Sequence, residues 1–323
     1  ADPGHDPAAT VPLPGIDDVE RAAAALRGRA VVTPLLESPG LNEATGARIL
    51  FKCEPLQRTG SFKFRGAYTA IARLAPAVRA RGVVAVSSGN HAQGVAAAAR
   101  LFGAPAVIVM PSTAPRGRRE ATRDEGAEVV EYDPATESRE ALGERLATDR
   151  GLHLVRPFDD FDVISGQGTV GLEIARQARE RGLDVDELLC PCGGGGLIGG
   201  IATALRACSP ETALYCVEPA GFDDTRRSLA AGDRLANEPG PASICDAIVT
   251  PRPGALTFRI NRAALAGGLV VDDAQALEAM RWAFRHLRLV LEPGGAVALA
   301  AVLAGMRPLQ GRTIAVVCSG GNV

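Results

Sequence analysis

At 323 residues and 33.4 kDa the chain is long enough for two compact lobes or one large α/β domain. Its 46% hydrophobic and 22% charged residues are the balance of an ordinary soluble globular protein. A formal net charge of −2 and a pI near 6.2 exclude an electrostatic pull toward nucleic acid or anionic membrane, and no apolar run is long enough to span a bilayer.

The first ten residues, with Pro3, Gly4, His5 and Pro7, lack the charged start and apolar middle of a signal peptide and read as a disordered arm. The seven cysteines are odd in number and sit mostly in apolar runs, which suits buried thiols in a reducing cytoplasm. Cys190-Pro191-Cys192 places one residue between its sulfurs, too few for a zinc knuckle.

The first chemical signal along the chain is Ser61-Phe62-Lys63-Phe64-Arg65-Gly66-Ala67, after the polar turn Arg58-Thr59-Gly60-Ser61. A lysine kept from water between two phenylalanines loses the stabilisation of its ammonium form. Its pKa falls, and the free amine can form a Schiff base with an aldehyde. Taken alone, a lysine snorkelling from a helix end has the same composition.

Next, residues 83–87 read as a buried strand and 92–102 as an alanine-rich helix. The alternation continues with a strand at 106–110, a helix at 115–125, a strand at 128–132 and a helix at 137–150. A second series runs from a helix at 170–181 through a strand at 187–192, a helix at 199–207 and a strand at 213–218. Helices at 273–287 and 294–303 and a strand at 313–318 close it, with 238–254 as a long structured loop. The pattern predicts an α/β protein of two lobes, each a mostly parallel open sheet with helices on both faces.

Three further motifs sit where these strands hand over to helices or turns. Ser87-Ser88-Gly89-Asn90-His91 offers small residues and the free N–H groups of a helix start, which can hold a carboxylate; an N-cap serine and a turn asparagine give the same residue types. Gly193-Gly194-Gly195-Gly196 removes every β-carbon between a strand and a helix, as a phosphate cradle requires. Gly194, Gly196 and Gly199 also satisfy a dinucleotide fingerprint, with Glu218 at the end of the next strand as its ribose acid, and close helix packing is a third reading. Ser319-Gly320-Gly321-Asn322 follows the last strand and places a hydroxyl at the carboxyl edge of the sheet.

As a set, the four motifs resemble the fold-type II pyridoxal-phosphate enzymes, tryptophan synthase β-like in fold, and within them the threonine/serine ammonia-lyase (dehydratase) and serine racemase branch. The resemblance runs from about Val32 to the end of the chain and includes Val163-Ile164-Ser165-Gly166-Gln167-Gly168-Thr169 and Glu292-Pro293-Gly294-Gly295. It implies that Lys63 carries the cofactor as a Schiff base and later acts as base. It also implies that Gly193, Gly194, Gly195, Gly196 and Leu197 hold the phosphate, that Asn90 bonds the ring's phenolic oxygen, that Phe62 packs on the ring, and that Ser319 faces the ring nitrogen. A serine there, unlike a carboxylate, leaves the ring a weaker electron sink, which favours prompt loss of a β-hydroxyl.

By the same resemblance Ser87, Ser88, Asn90 and His91 take the substrate carboxylate, Arg139 faces the substrate, and Ser88 is a second acid/base on the far face. Glu218, the Phe222 carbonyl and Asp224 match a structural Mg²⁺, Mn²⁺ or Ca²⁺ site. The implied molecule is a homodimer. Residues 1–81 and 160–323 form its large cofactor-binding domain and 82–159 a small mobile domain that closes on an amino-acid substrate. The implied activity is loss of water and ammonia from L-threonine or L-serine, with serine racemisation or 3-hydroxyaspartate ammonia-lyase activity as alternatives, His91 and Arg139 serving a second carboxylate. An NAD(P)-dependent oxidoreductase is the alternative from another class. The chain stops one residue past the Gly321-Asn322 turn, where such enzymes usually run on, so a further tail is expected but no regulatory domain.

Overall fold

The computed structural model describes residues 11–323, and the arm expected at residues 1–10 lies outside them. Among the described residues ten strands form two sheets. They are β1 (Leu35–Glu37), β2 (Arg48–Cys53), β3 (Val83–Val86), β4 (Ala106–Pro111), β5 (Glu128–Tyr132), β6 (His153–Leu154), β7 (Glu187–Pro191), β8 (Ala213–Pro219), β9 (Gly267–Val271) and β10 (Thr313–Cys318). The larger sheet has the order β1-β2-β10-β7-β8-β9 and the smaller β5-β4-β3-β6. Every pairing of these strands is parallel except β1 with β2.

Parallel strands covered on both faces must be apolar on both, which is why β10 reads as an apolar run from Ile314 to Cys318 and β7 is apolar after Glu187, both buried almost throughout. Strand β2 hides from that pattern because Lys52 interrupts it. Its side chain is fully buried, and Nζ donates to Glu173 Oε2 at 2.6 Å, Gln177 Oε1 at 2.9 Å and the Thr33 carbonyl at 2.8 Å. Strand β9 opens on Gly267-Gly268, too weak a signal to read as a strand.

The helix expected from residue 170 begins at Phe161 and runs to Glu180, capped by Asp160, whose Oδ1 accepts from the N–H groups of Asp162 and Val163 at 2.9 Å each. Gly166 and Gly168 look like loop residues in sequence, but they are sites of close helix approach. A β-carbon on Gly166 would lie 2.6 Å from the Arg65 carbonyl oxygen, and one on Gly168 would lie 2.8 Å from that of Gly200. Helices Lys63–Arg73, Phe161–Glu180 and Gly196–Cys208 therefore pack nearly backbone to backbone.

Helix Lys63–Arg73 also contributes Phe64, Ala67 and Ile71 to the core beneath the smaller sheet, together with the alanines of helix Asn90–Leu101. It is thus gripped from both lobes. Arg65, buried two residues past Lys63, donates to Glu54 at 2.8 and 2.9 Å, to Glu173 at 2.7 and 2.9 Å and to Thr169 at 3.1 Å. With Lys52 this makes two buried cations and two carboxylates tying β2, the following turn and two helices together.

Candidate active site

The carboxyl ends of β3, β7 and β10 open onto one cavity of about 490 Å³ between the sheets. The crevice beyond strand carboxyl ends is where open parallel sheets place ligands. Each chemical motif supplies part of its wall. Phe62 and Lys63 begin one helix, Ser87, Ser88, Asn90 and His91 follow β3, Gly193 to Leu197 follow β7, and Ser319 follows β10.

Lys63 opens helix Lys63–Arg73 just after a tight turn in which Thr59 has a φ of 59°. Its Nζ donates to the Pro157 carbonyl at 2.6 Å and stands 5.3 Å from the Phe62 ring centre. Burial lowers its pKa from 10.5 to about 8, against a small opposing pull from Glu292. The reading of Lys63 as a desolvated amine therefore agrees with the geometry, since Phe62 turns to the cavity and Phe64 to the core.

Glu292 is a feature of the site that the motifs did not single out as a functional residue. Burial raises its carboxyl to about 7, offset in part by a hydrogen bond that Asn90 Nδ2 donates to Oε1 at 2.6 Å. Asn322 Nδ2 donates to Asn90 Oδ1 at 2.7 Å and to the Thr59 carbonyl at 2.7 Å. A β-carbon on Gly320 would collide with Glu292, so the glycine of the last turn makes room for that carboxyl.

The glycine run is held from behind. Thr257 Oγ1 donates to the Gly194 carbonyl at 2.6 Å and Asn261 Nδ2 to the Gly195 carbonyl at 3.3 Å. Gly195 takes a φ of 90°, and a β-carbon there would lie 2.6 Å from Asn261 Nδ2. Side chains on Gly194 or Gly196 would run into Phe158, which sequence reading missed. With the carbonyls turned away, the amides of Gly194, Gly195 and Gly196 donate to no protein acceptor among the described residues, and helix Gly196–Cys208 begins there. Bare amides at a helix start are an anion cradle, and this one suits a phosphate.

Glu218 does not serve that loop. It is fully buried, and its two oxygens accept from the N–H groups of Thr225 and Arg226 at 2.9 and 2.8 Å, so a dinucleotide ribose has no acid to bind. The residues present fit pyridoxal phosphate instead: an imine-forming amine, a phosphate cradle and, after β10, the neutral hydroxyl of Ser319.

His91 lines the cavity, but it cannot offer a charge to a carboxylate. Its ring is buried, its Nε2 donates to the Val155 carbonyl at 2.9 Å, and burial with the nearby Lys63 pushes its pKa down to about 3. Nδ1 is left as a buried acceptor with no partner. His91, expected to help take a substrate carboxylate, stands in the cavity wall as a neutral ring. Ser87 Oγ accepts from the Gly89 N–H at 3.2 Å and so shapes the turn, while Ser88 faces the cavity. Arg139 lines the mouth and donates to Glu140 at 2.7 Å. Arg118 and Arg156 also line it, and neither was anticipated from sequence.

Glu218, Phe222 and Asp224 lie together off the cavity. Asp224 Oδ1 accepts from Asn237 Nδ2 at 2.7 Å, and its buried Oδ2 has no partner. Burial raises Glu218 to about 8, with Asp224 adding to the shift, and burial raises Asp224 to about 6. Among the described residues no group of three or more His, Cys, Asp or Glu side chains converges on a metal position.

Comparison with known proteins meets this chemistry directly. The profile of the family described as pyridoxal-phosphate dependent enzyme matches residues 27–320. The chain is 44% identical to an L-threo-3-hydroxyaspartate ammonia-lyase of Pseudomonas sp over 96% of both chains. Its fold is similar to the threonine deaminase of T.th., with a TM-score of 0.91 and 43% identity over 96% of this chain and 99% of that one. It is similar as well to maize serine racemase, with a TM-score of 0.90 and 36% identity over 96% of this chain and 94% of the other.

Proposed function

The chain belongs to the pyridoxal-phosphate-dependent enzyme family, and on that premise we propose that it is an ammonia-lyase that converts a β-hydroxy-α-amino acid to a 2-oxo acid and ammonia. The observation that carries this is the buried Lys63 amine, with a pKa lowered to about 8, sharing one cavity with an amide-lined phosphate cradle. An oxidoreductase would use neither the amine nor Ser319.

Pyridoxal phosphate, when bound, supplies an aldehyde that condenses with amines and a ring that draws electron density from the substrate's Cα. The protein's part is to place and move protons. Lys63 would hold the cofactor through its amine and, as a free amine, would take the Cα proton of the bound substrate. The Gly194 to Gly196 amides would hold the cofactor's phosphate. Asn90, held between Glu292 and Asn322, lines the same cavity as Lys63, and Ser319 would offer the ring nitrogen a hydroxyl without a formal charge. The β-hydroxyl would leave as water by taking up the proton that Lys63 holds after removing it from Cα, and the enamine released would tautomerise to an imine and add water to give the 2-oxo acid and ammonia. L-serine and L-threonine satisfy this scheme, and 3-hydroxyaspartate joins them because arginines line the mouth. Borohydride bleaching of a yellow holoenzyme, with oxo-acid and ammonia release from a panel of hydroxy amino acids, tests the reading. A colourless protein releasing neither product would reject it.

Residues 1–81 with 160–323, and 82–159, are proposed as a cofactor domain and a closing domain. One ion pair joins these two segments among the described residues, Arg118 with Asp246 at 2.8 Å. A cytoplasmic setting is proposed from the unpaired cysteines; among the described residues no helix is long and apolar enough to cross a membrane. A homodimer is proposed too, supported by Leu277 and Phe284, 38% and 61% exposed and seven residues apart on one helix face. Sedimentation should give twice the chain mass, and Phe284→Glu should shift it toward monomer; a monomeric wild type rejects the dimer.

We further propose a structural divalent cation held by Glu218, the Phe222 carbonyl and Asp224. The unpartnered Asp224 Oδ2 and the charge of Asp224 bearing on the buried Glu218 carboxyl support it, as do oxygen donors suited to a hard cation. A cation bound only by the folded state raises the melting temperature. Chelation should therefore lower it, millimolar Mg²⁺, Mn²⁺ or Ca²⁺ should restore it, and Asp224→Asn should remove the response. No chelator effect on the wild type would reject the site.

A further inference from the structure

We infer that Arg156 selects substrates bearing a second carboxylate, by pairing with that group at the mouth of the cavity. The inference rests on the ammonia-lyase reading above and names the substrate feature the site favours.

The argument begins with which charges are already spent. Arg118 donates to Asp246 at 2.8 Å and Arg139 to Glu140 at 2.7 Å, so two of the three cavity arginines carry their own counterions. Lys63 is committed to the chemistry, and His91 is neutral. Arg156 lines the same cavity, is exposed, and makes no hydrogen bond or ion pair among the described residues. Glu144, a cavity carboxylate, forms no ion pair with it among the described residues.

Its backbone, by contrast, is fixed at the reacting centre. The carbonyl before it, on Val155, accepts from His91 Nε2 at 2.9 Å, and the carbonyl after it, on Pro157, accepts from Lys63 Nζ at 2.6 Å. An arginine stem therefore rises from a point tied to both the catalytic lysine and the helix that follows the serine turn. A guanidinium in that position presents a planar fork of donors matched to a carboxylate, and it is less strongly hydrated than an ammonium. L-Serine and L-threonine carry a hydroxyl on Cβ but no second carboxylate for it to pair with. A 3-hydroxyaspartate carries its second carboxylate on Cβ, and without a cation that group would enter the cavity unpaired, at a cost.

The test compares kcat/KM for L-threo-3-hydroxyaspartate with that for L-serine in wild type and Arg156→Gln holoenzyme, and competitive inhibition by L-aspartate with that by L-alanine. Losing a two-donor contact to a charged group should lower the hydroxyaspartate-to-serine ratio by about 10- to 100-fold, chiefly through KM. L-Aspartate inhibition should weaken by a similar factor relative to L-alanine. Arg156→Lys should fall between the two. An unchanged ratio in Arg156→Gln overturns the inference, as does an equal shift in Arg118→Gln or Arg139→Gln. Wild type that turns over L-serine but not hydroxyaspartate also overturns it, leaving the lyase reading intact. Wild type that releases oxo acid from no hydroxy amino acid brings down that reading itself.

Discussion

Lys63→Ala should lower ammonia and oxo-acid release by at least about 10⁴-fold while leaving the fold intact. A general base alone contributes about 10²- to 10⁴-fold, and here the same residue also anchors the cofactor. Little stability depends on it, because its Nζ makes one protein hydrogen bond, to the Pro157 carbonyl. Lys63→Arg is the sharper variant. It keeps a long cationic side chain in the site, but a guanidinium does not give up its proton in a protein, so it should be as inactive as alanine. Wild-type turnover should rise with pH toward about 8, because burial lowers the amine's pKa to about that value and the neutral form grows as pH climbs through it. Glu292, with a carboxyl near 7, becomes anionic over the lower part of that range and holds the Lys63 proton slightly longer, which broadens the limb. Retention of a tenth of wild-type turnover by either variant would remove Lys63 from the mechanism.

Much of the site is legible in the sequence because it is built from short contiguous motifs at strand ends. Lysine between phenylalanines, a serine-glycine-asparagine turn, a glycine run and a terminal serine each read locally, and the fold brings them around one cavity. What sequence hides is partnership across distance. Glu292 belongs to the site through Asn90, 202 residues away, and Pro157 meets Lys63 from 94 residues away. Glu218 misleads for the opposite reason. Its place after a strand imitates a ribose acid, whereas its oxygens cap a helix start. Elements were lost where chemistry breaks periodicity, as in β2 with its buried lysine and in the glycine-bearing start of helix Phe161–Glu180.

That buried lysine leads to the largest expected effect on stability. Arg65→Met should cost about 3–5 kcal/mol, the usual result of removing one partner from a buried ionic cluster. Arg65 and Lys52 face Glu54 and Glu173 with charges in balance, and Arg65 supplies hydrogen bonds to both carboxylates. Glu54, fully buried, would keep the Thr33 hydroxyl at 2.6 Å and lose its cation. In a chain of this size the melting temperature should fall by on the order of 10 °C. The deficit should narrow at acid pH, where an abandoned carboxylate can take up a proton. The decisive variant is the double substitution Arg65→Met with Glu54→Leu. It removes a cation and an anion together and leaves Lys52 paired with Glu173, so it should recover most of the loss, whereas independent contributions would make it the worst of the three. Because Arg65 lies one helical half-turn beyond Lys63, the single variant should also lose turnover at temperatures where it is still folded, and the double should regain part of it. A double variant less stable than Arg65→Met would show that Arg65 stabilises the lysine-bearing helix through packing and not through charge.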